Sequence, residues 1–254
     1  VVELAEGKVN AIILAGRAND GVFAAVDRAT NEALIEINGR TMLDFVVGAA
    51  TSAASIARCV IVGTPEVATG LPPGVEFAPA GDDVIANVER GTAHLGGELP
   101  VLVITSDVPF ITGPIIDRLV AQCLAKPADL YYPAIPREAA EAKFPGVERT
   151  YVKLREGTFT GGNLFLVSPR VVRTKGDQVR AFVAARKSPA KMAGLIGPTF
   201  VVKLALGRLS ARELEVKISA MFGVRGAVVF TDDAEIGVDV DKLSDLELAR
   251  RVLV

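Results

Sequence analysis

The run Val9-Asn10-Ala11-Ile12-Ile13-Leu14 is almost wholly apolar and stops at Ala15-Gly16. A strand that is apolar at successive positions offers hydrophobic side chains to both of its faces, so both must be covered. Ile56 to Val62 and Pro100 to Thr105 repeat the pattern, with shorter versions at Val75 to Ala78 and Ala128 to Pro133. Helical stretches separate them. Thr41 reads as an N-cap, with Asp44 three residues on and Met42, Phe45, Val46 and Ala49 along one face. Asp82 or Asp83 opens a helix to about His94, and Thr112 caps another with Pro114 in its first turn. Strand, crossover helix, strand in this order predicts an α/β sheet with helices on both faces.

The remainder is less regular. Ala33 to Ile37 alternates and ends in an Asn38-Gly39 turn, and Pro136 to Gly157 is a polar, charged stretch. Phe159 to Val167 then resumes an apolar run around Gly161-Gly162-Asn163. Residues 170–217 hold eleven Lys and Arg against three acids, a local +8 that leaves −10 elsewhere in a chain whose total is −2. They read as helices over Gln178 to Arg186, Pro189 to Leu195, Thr199 to Leu206 and Ser210 to Met221. A strand at Gly226 to Phe230, the triplet Asp239-Val240-Asp241 and a helix from Ser244 to Leu253 close the chain.

Composition narrows the chemistry. One His (His94) and two Cys cannot build a four-ligand Cys/His zinc site. Ser-His-Asp catalysis would rest on His94 alone, and no G-x-S-x-G turn is present. That leaves carboxylates, cations, backbone amides or a metal held by oxygen. A pI near 5.6 argues against nucleic acid as a partner of the whole surface. Cys59 and Cys123 both lie in core-like contexts, which predicts buried thiols in a reducing cytosol. Val1 to Glu6 lacks the basic head and apolar stretch of a signal peptide, and no run is long enough for a membrane span. The expectation is a soluble, cytoplasmic protein.

Three places can carry function. The turn Leu14-Ala15-Gly16-Arg17-Ala18-Asn19-Asp20-Gly21 leaves a buried strand, where backbone amides and Arg17 can meet phosphate oxygens, or it is a plain surface turn. It is neither G-x-G-x-x-G nor a Walker loop. Asp107, in Thr105-Ser106-Asp107-Val108-Pro109, follows the most hydrophobic strand, where α/β sheets bind ligands, and could hold magnesium or cap a turn. Asp239 and Asp241, if extended, share one face and repel unless a cation sits between them; a solvated turn is the alternative.

In that order, these segments resemble the nucleotidyltransferases that join a nucleoside triphosphate to a phosphorylated acceptor: the MobA-like guanylyltransferases and the sugar-phosphate nucleotidyltransferases. Val9 to Gly16 is similar to their opening strand and loop, and Glu32 to Leu43 to their Lys-Ala-Leu segment, with Glu32 at the lysine position. Thr105 to Phe110 is similar to their metal-binding aspartate motif, Thr160 to Phe165 to their acceptor-side strand, and Ile236 to Glu247 to their closing motif. The resemblance covers about 1–168 and 226–254. It implies a Rossmann-like GT-A three-layer sandwich with a mixed, mostly parallel sheet. Residues 1–254 would form a single domain, with a basic helical insertion over 170–222 before the last strand.

The triphosphate would lie on Leu14, Ala15, Gly16 and Arg17, its base toward Gly81, with Arg17 and Asp107 catalytic. Gly161, Gly162 and Asn163 would meet the acceptor. Asp107, Asp239 and Asp241 would hold Mg2+ while a nucleoside monophosphate passes to a small anionic acceptor and pyrophosphate leaves. Glu32 also admits a different reading, a nucleotide-binding or regulatory homologue without turnover. The apolar runs within 188–222 must pack on the domain, on a second subunit as a homodimer, or around a lipophilic acceptor.

Overall fold

Three apolar strands laid side by side need a layer on each face, and that requirement organises the molecule. The structure, a computed structural model, describes residues 7–185, 194–195 and 197–253. Strands β1 (Val9–Ala15), β4 (Ile56–Gly63), β5 (Val75–Pro79) and β6 (Val101–Thr105) are parallel, in the order β5-β4-β1-β6. The sheet continues through β10 (Leu164–Val167), β7 (Leu130–Pro136), β9 (Gly157–Gly161) and β8 (Val152–Leu154), with β11 (Gly226–Phe230) parallel to β7. β10 is antiparallel to both its neighbours, so the nine-stranded sheet is mixed but mostly parallel. The short pair β2 (Glu36–Ile37) and β3 (Arg40–Thr41) stands apart around the Asn38-Gly39 turn.

Successive side chains of β1 diverge. Val9, Ala11 and Ile13 enter a core shared with α1 (Met42–Ser52), α3 (Gly113–Leu124) and α8 (Leu243–Val252). Ile12 enters a second core with α2 (Val84–Leu95), α5 (Pro169–Ala185) and α7 (Ala211–Phe222). Each fully buried Ile or Leu contributes about 2–3 kcal/mol of transfer free energy. α2 can lie directly on β1 because Gly91 faces Ile12, and a Cβ at Gly91 would come within 2.7 Å of Ile12 Cδ1. Thr41 closes a capping box with Asp44, and Asp83 rather than Asp82 caps α2. Thr112 takes the N-cap position of α3 without a side-chain hydrogen bond, leaving Pro114 to set the first turn.

Several expectations are corrected. Phe159 to Val167 is two strands, not one. Gly161 pairs with Ala134 and Leu166 with Tyr131, so this edge carries two residues more than β7 does and bulges at Gly162-Asn163. Ala33 to Ile37 is divided between a 3-10 turn (Glu32–Leu34), which the Asn31 side chain starts by accepting the Ala33 amide, and the two-residue β2. The polar stretch 136–157 contains α4 (Arg137–Lys143) and β8. Asp239-Val240-Asp241 lies outside any strand.

The basic segment supplies α5, α6 (Pro198–Ala205) and α7 ahead of β11, and α5 begins at Pro169 instead of Gln178. The expected helix Pro189 to Leu195 lies, apart from Gly194 and Leu195, outside the described residues. Cys59 and Cys123 are buried free thiols, and burial pushes both up to about 12. Among the described residues no helix is long and apolar enough to cross a membrane.

Candidate active site

After β1 the chain turns away to pair β4 on one side, and β6 arrives on the other. The carboxyl ends of β1 and β6 therefore flank a topological switch point, where α/β sheets bind ligands. The Ser106 amide donates to the Leu14 carbonyl at 3.2 Å, which aligns the two strand ends and delivers Asp107 at the crevice. The Val240 amide donates to the Asp107 carbonyl at 2.8 Å, bringing the closing triplet to the same place. Val240 is buried, so its neighbours Asp239 and Asp241 turn outward together. Oxygens of Asp107, Asp239 and Asp241 all lie within 4.8 Å of one another. The paired projection expected of a strand is thus achieved by a tethered loop.

The electrostatics are strained. Asp107 Oδ1 is enclosed and has no hydrogen-bond partner among the described residues. Burial first, with the Asp241 charge adding to it, holds the Asp107 carboxyl above the usual range. Asp239 is raised to about 6, chiefly by burial and then by Asp241 and Asp107. Three carboxylates so close, one oxygen enclosed and unpaired, form a set that a hard divalent cation would satisfy.

The loop after β1 folds back on itself. Asn19 donates its amide to the Thr30 carbonyl and its side chain to the Ala29 carbonyl, and Phe23 is buried as an anchor. Asn31 Nδ2 donates to the Ala15 carbonyl at 2.8 Å and to Thr64 Oγ1 at 3.0 Å, fixing the strand end. Arg17 is paired with Glu32 at 3.0 Å and stands 3.6 Å from Asp241. Glu32 is nearly buried, and its carboxyl is raised by that burial despite Arg17. Glu32 therefore points at the aspartate cluster and holds the loop's cation.

Gly81 also reaches the site. Its amide donates to Asn87 Oδ1 at 2.6 Å, and Asn87 Nδ2 lies 3.1 Å from the Cβ position of Gly16. On the other side, the Asn163 amide donates to the Ile236 carbonyl at 2.8 Å and the Gly162 amide to the Pro133 carbonyl at 3.1 Å. The Gly161-Gly162-Asn163 bulge is thereby fastened to the turn Ala234–Gly237 that leads into Asp239. The expected residues thus gather into two groups around the aspartates: Leu14 to Arg17 with Gly81, and Gly161 to Asn163.

Sequence reasoning missed Asn31, Asn87 and Arg149. Asn31 acts through the Ala15 carbonyl sixteen residues away and Asn87 through the Gly81 amide of the preceding loop, and Arg149 comes from the polar stretch, where no periodicity singles it out. Arg149 is half-buried, Asp239 is the acid it feels most, and burial pulls its guanidinium down.

Comparison with known proteins bears on the family and the fold. Residues 11–203 match the model of the MobA-like NTP transferase domain. A hypothetical transferase structure from Thermus thermophilus is 38% identical with TM-score 0.83, over 94% of this chain and 99% of that one. A CMP:2-keto-3-deoxy-manno-octonic acid synthetase complexed with CTP shares the fold at 14% identity and TM-score 0.60, over 96% of this chain and 97% of that one. So does the 4-diphosphocytidyl-2C-methyl-D-erythritol synthase from Anaerococcus prevotii, at 12% and 0.59, over 98% and 97%. A search of curated proteins returned no match. With residues 11–203, more than half its length, matched, the chain belongs to the MobA-like NTP transferase domain family.

Proposed function

We propose that this chain is a magnesium-dependent nucleotidyltransferase that joins the nucleoside monophosphate of a triphosphate to a small phosphorylated acceptor and releases pyrophosphate. The observation that carries this reading is the convergence of Asp107, Asp239 and Asp241, with Asp107 Oδ1 enclosed and unpaired. Asp107, Asp239 and Asp241 would hold Mg2+, which supplies positive charge against the phosphates as the bond order shifts. The backbone of Leu14, Ala15 and Gly16 orients the triphosphate, with its base toward Gly81. Arg17 neutralises phosphate oxygens after leaving Glu32, and Gly161, Gly162 and Asn163 receive the acceptor. An acceptor phosphate oxygen attacks the α-phosphorus in line while the α–β bridging bond breaks. The nucleophile is already anionic, so no general base is needed, which suits a chain with one histidine.

In the same reading residues 1–254 form one transferase domain with 170–222 inserted, working in the cytoplasm without nucleic acid. Exposed Val202, Leu206 and Val216 support a homodimer through residues 188–222, and a monomeric mass by light scattering would dispose of that part. The test of the main reading is a thermal-shift panel of nucleoside triphosphates with and without magnesium, followed by a pyrophosphate assay with candidate acceptors. A magnesium-dependent shift with one triphosphate is expected; no shift with any would overturn the reading. The Arg17–Glu32 pair favours one second reading, a nucleotide-binding homologue without turnover. It predicts the shift without pyrophosphate, and tighter triphosphate binding in Glu32→Lys.

A further inference from the structure

Two cations flank the aspartate cluster, and they are not alike. Arg17 stands on the β1 side, paired with Glu32 and facing Asp241. Arg149 stands on the far side, in the segment between α4 and β8, where Asp239, Tyr151 and Asp245 are the titratable groups whose charge it feels. Among the described residues it closes no ion pair and donates no hydrogen bond, and its Nη2 is enclosed without a partner. A Cβ at Gly237 would lie 3.5 Å from Arg149 Nη1 and 3.2 Å from the Gly161 carbonyl. The guanidinium therefore neighbours the turn that delivers Asp239, on the side where that turn meets Gly161 at the start of the bulge. A half-buried guanidinium without an acceptor is costly to keep. The acid nearest to it in effect, Asp239, belongs to the set that would hold a cation.

We propose that Arg149 binds the anionic group of the acceptor, a phosphate monoester, on the Asp239 side of the site. This rests on the transferase reading above. A phosphate that attacks a triphosphate must enter a crevice lined by three carboxylates, and like charges oppose its approach. A cation on the acceptor's own side removes that opposition, and Arg17 is engaged on the other. The planar guanidinium fork matches two phosphate oxygens at once, which an ammonium does not. One acceptor oxygen then forms the new bond to the α-phosphorus as the α–β bridging bond breaks and pyrophosphate leaves with the electron pair. The remaining oxygens stay on Arg149, which gives up no proton.

Methyl phosphate, a minimal phosphate monoester, is the probe. It is titrated calorimetrically into the wild type and into Arg149→Gln, Arg149→Lys and Arg17→Gln. Wild type and Arg17→Gln are expected to bind it alike, Arg149→Gln at least about tenfold more weakly, and Arg149→Lys in between at an unchanged melting temperature. Arg149→Gln keeps any magnesium-dependent triphosphate shift. Equal binding by wild type and Arg149→Gln, or none by wild type, would overturn the proposal. If no triphosphate shifts any variant, the transferase reading falls, while the methyl phosphate titration still decides whether Arg149 takes an anion.

Discussion

The aspartate crevice and the basic helical segment are both densely charged, yet they treat charge in opposite ways. Along α5 to α7 five of the described cations behind the +8 excess, Arg212 with Glu215 among them, have a carboxylate partner. Arg170 meets Asp129, Arg173 meets Glu98, Lys203 meets Glu213, and Arg180 reaches Asp83, Glu89 and Asp177. In the crevice Asp107, Asp239 and Asp241 crowd together, Asp107 keeps an enclosed oxygen without a donor, and Arg149 keeps an enclosed nitrogen without an acceptor. Charge balance alone would have pointed to the helices as the place that awaits an anion. Pairing points to the crevice, because an enclosed charged group without a partner is costly to keep and another molecule can complete it.

The largest way to break this contrast is Asp107→Asn. It keeps the shape, removes the charge, and should lower pyrophosphate release by about 10^3-fold. The next effect is on pH. Asp239 titrates near 6 in the folded chain against 3.8 as a free carboxyl, so between those values the folded form holds a proton that the unfolded form has lost. Stability from this group therefore falls as pH rises through that window, and the loss is complete above it. A cation competes for the same carboxylate. Its affinity should rise by up to about tenfold per pH unit below 6 and level off above, as read by calorimetric magnesium titration.

Glu32→Gln frees Arg17 without adding charge and should tighten triphosphate binding about fivefold, the equivalent of ~1 kcal/mol. Smallest is Arg180→Ala. It removes three exposed ion pairs, yet should move the melting temperature by less than about 3 °C and leave triphosphate binding unchanged. A large loss of triphosphate binding there would place the basic segment in the site.

What could be read from the residues follows the same division. β1, β4 and β6 declare themselves because strands buried on both faces are apolar at almost every position, and Thr41 and the Asp82-Asp83 pair mark helix starts by local chemistry, the structure choosing Asp83. Phe159 to Val167 misled because its composition is that of one strand, and only the register against β7 reveals the bulge. α4 hid in the polar stretch because its exposed face dominates seven residues. Asp107 stands out by its place after a strand and the Asp239-Asp241 pair by its spacing, but only the fold, with its backbone hydrogen bond from Val240 to Asp107, brings the three together. Arg149 carries no local pattern; its meaning lies in what it fails to touch.

The most direct test compares apoprotein and magnesium-loaded melting for wild type and Asp107→Asn, each with the triphosphate that stabilises the wild type. Magnesium with the triphosphate should raise the wild-type melting temperature and leave Asp107→Asn unmoved, while the variant alone melts no lower than the wild-type apoprotein. An equal magnesium-dependent rise in both would contradict the claim that this unsatisfied carboxylate cluster is where the cation binds.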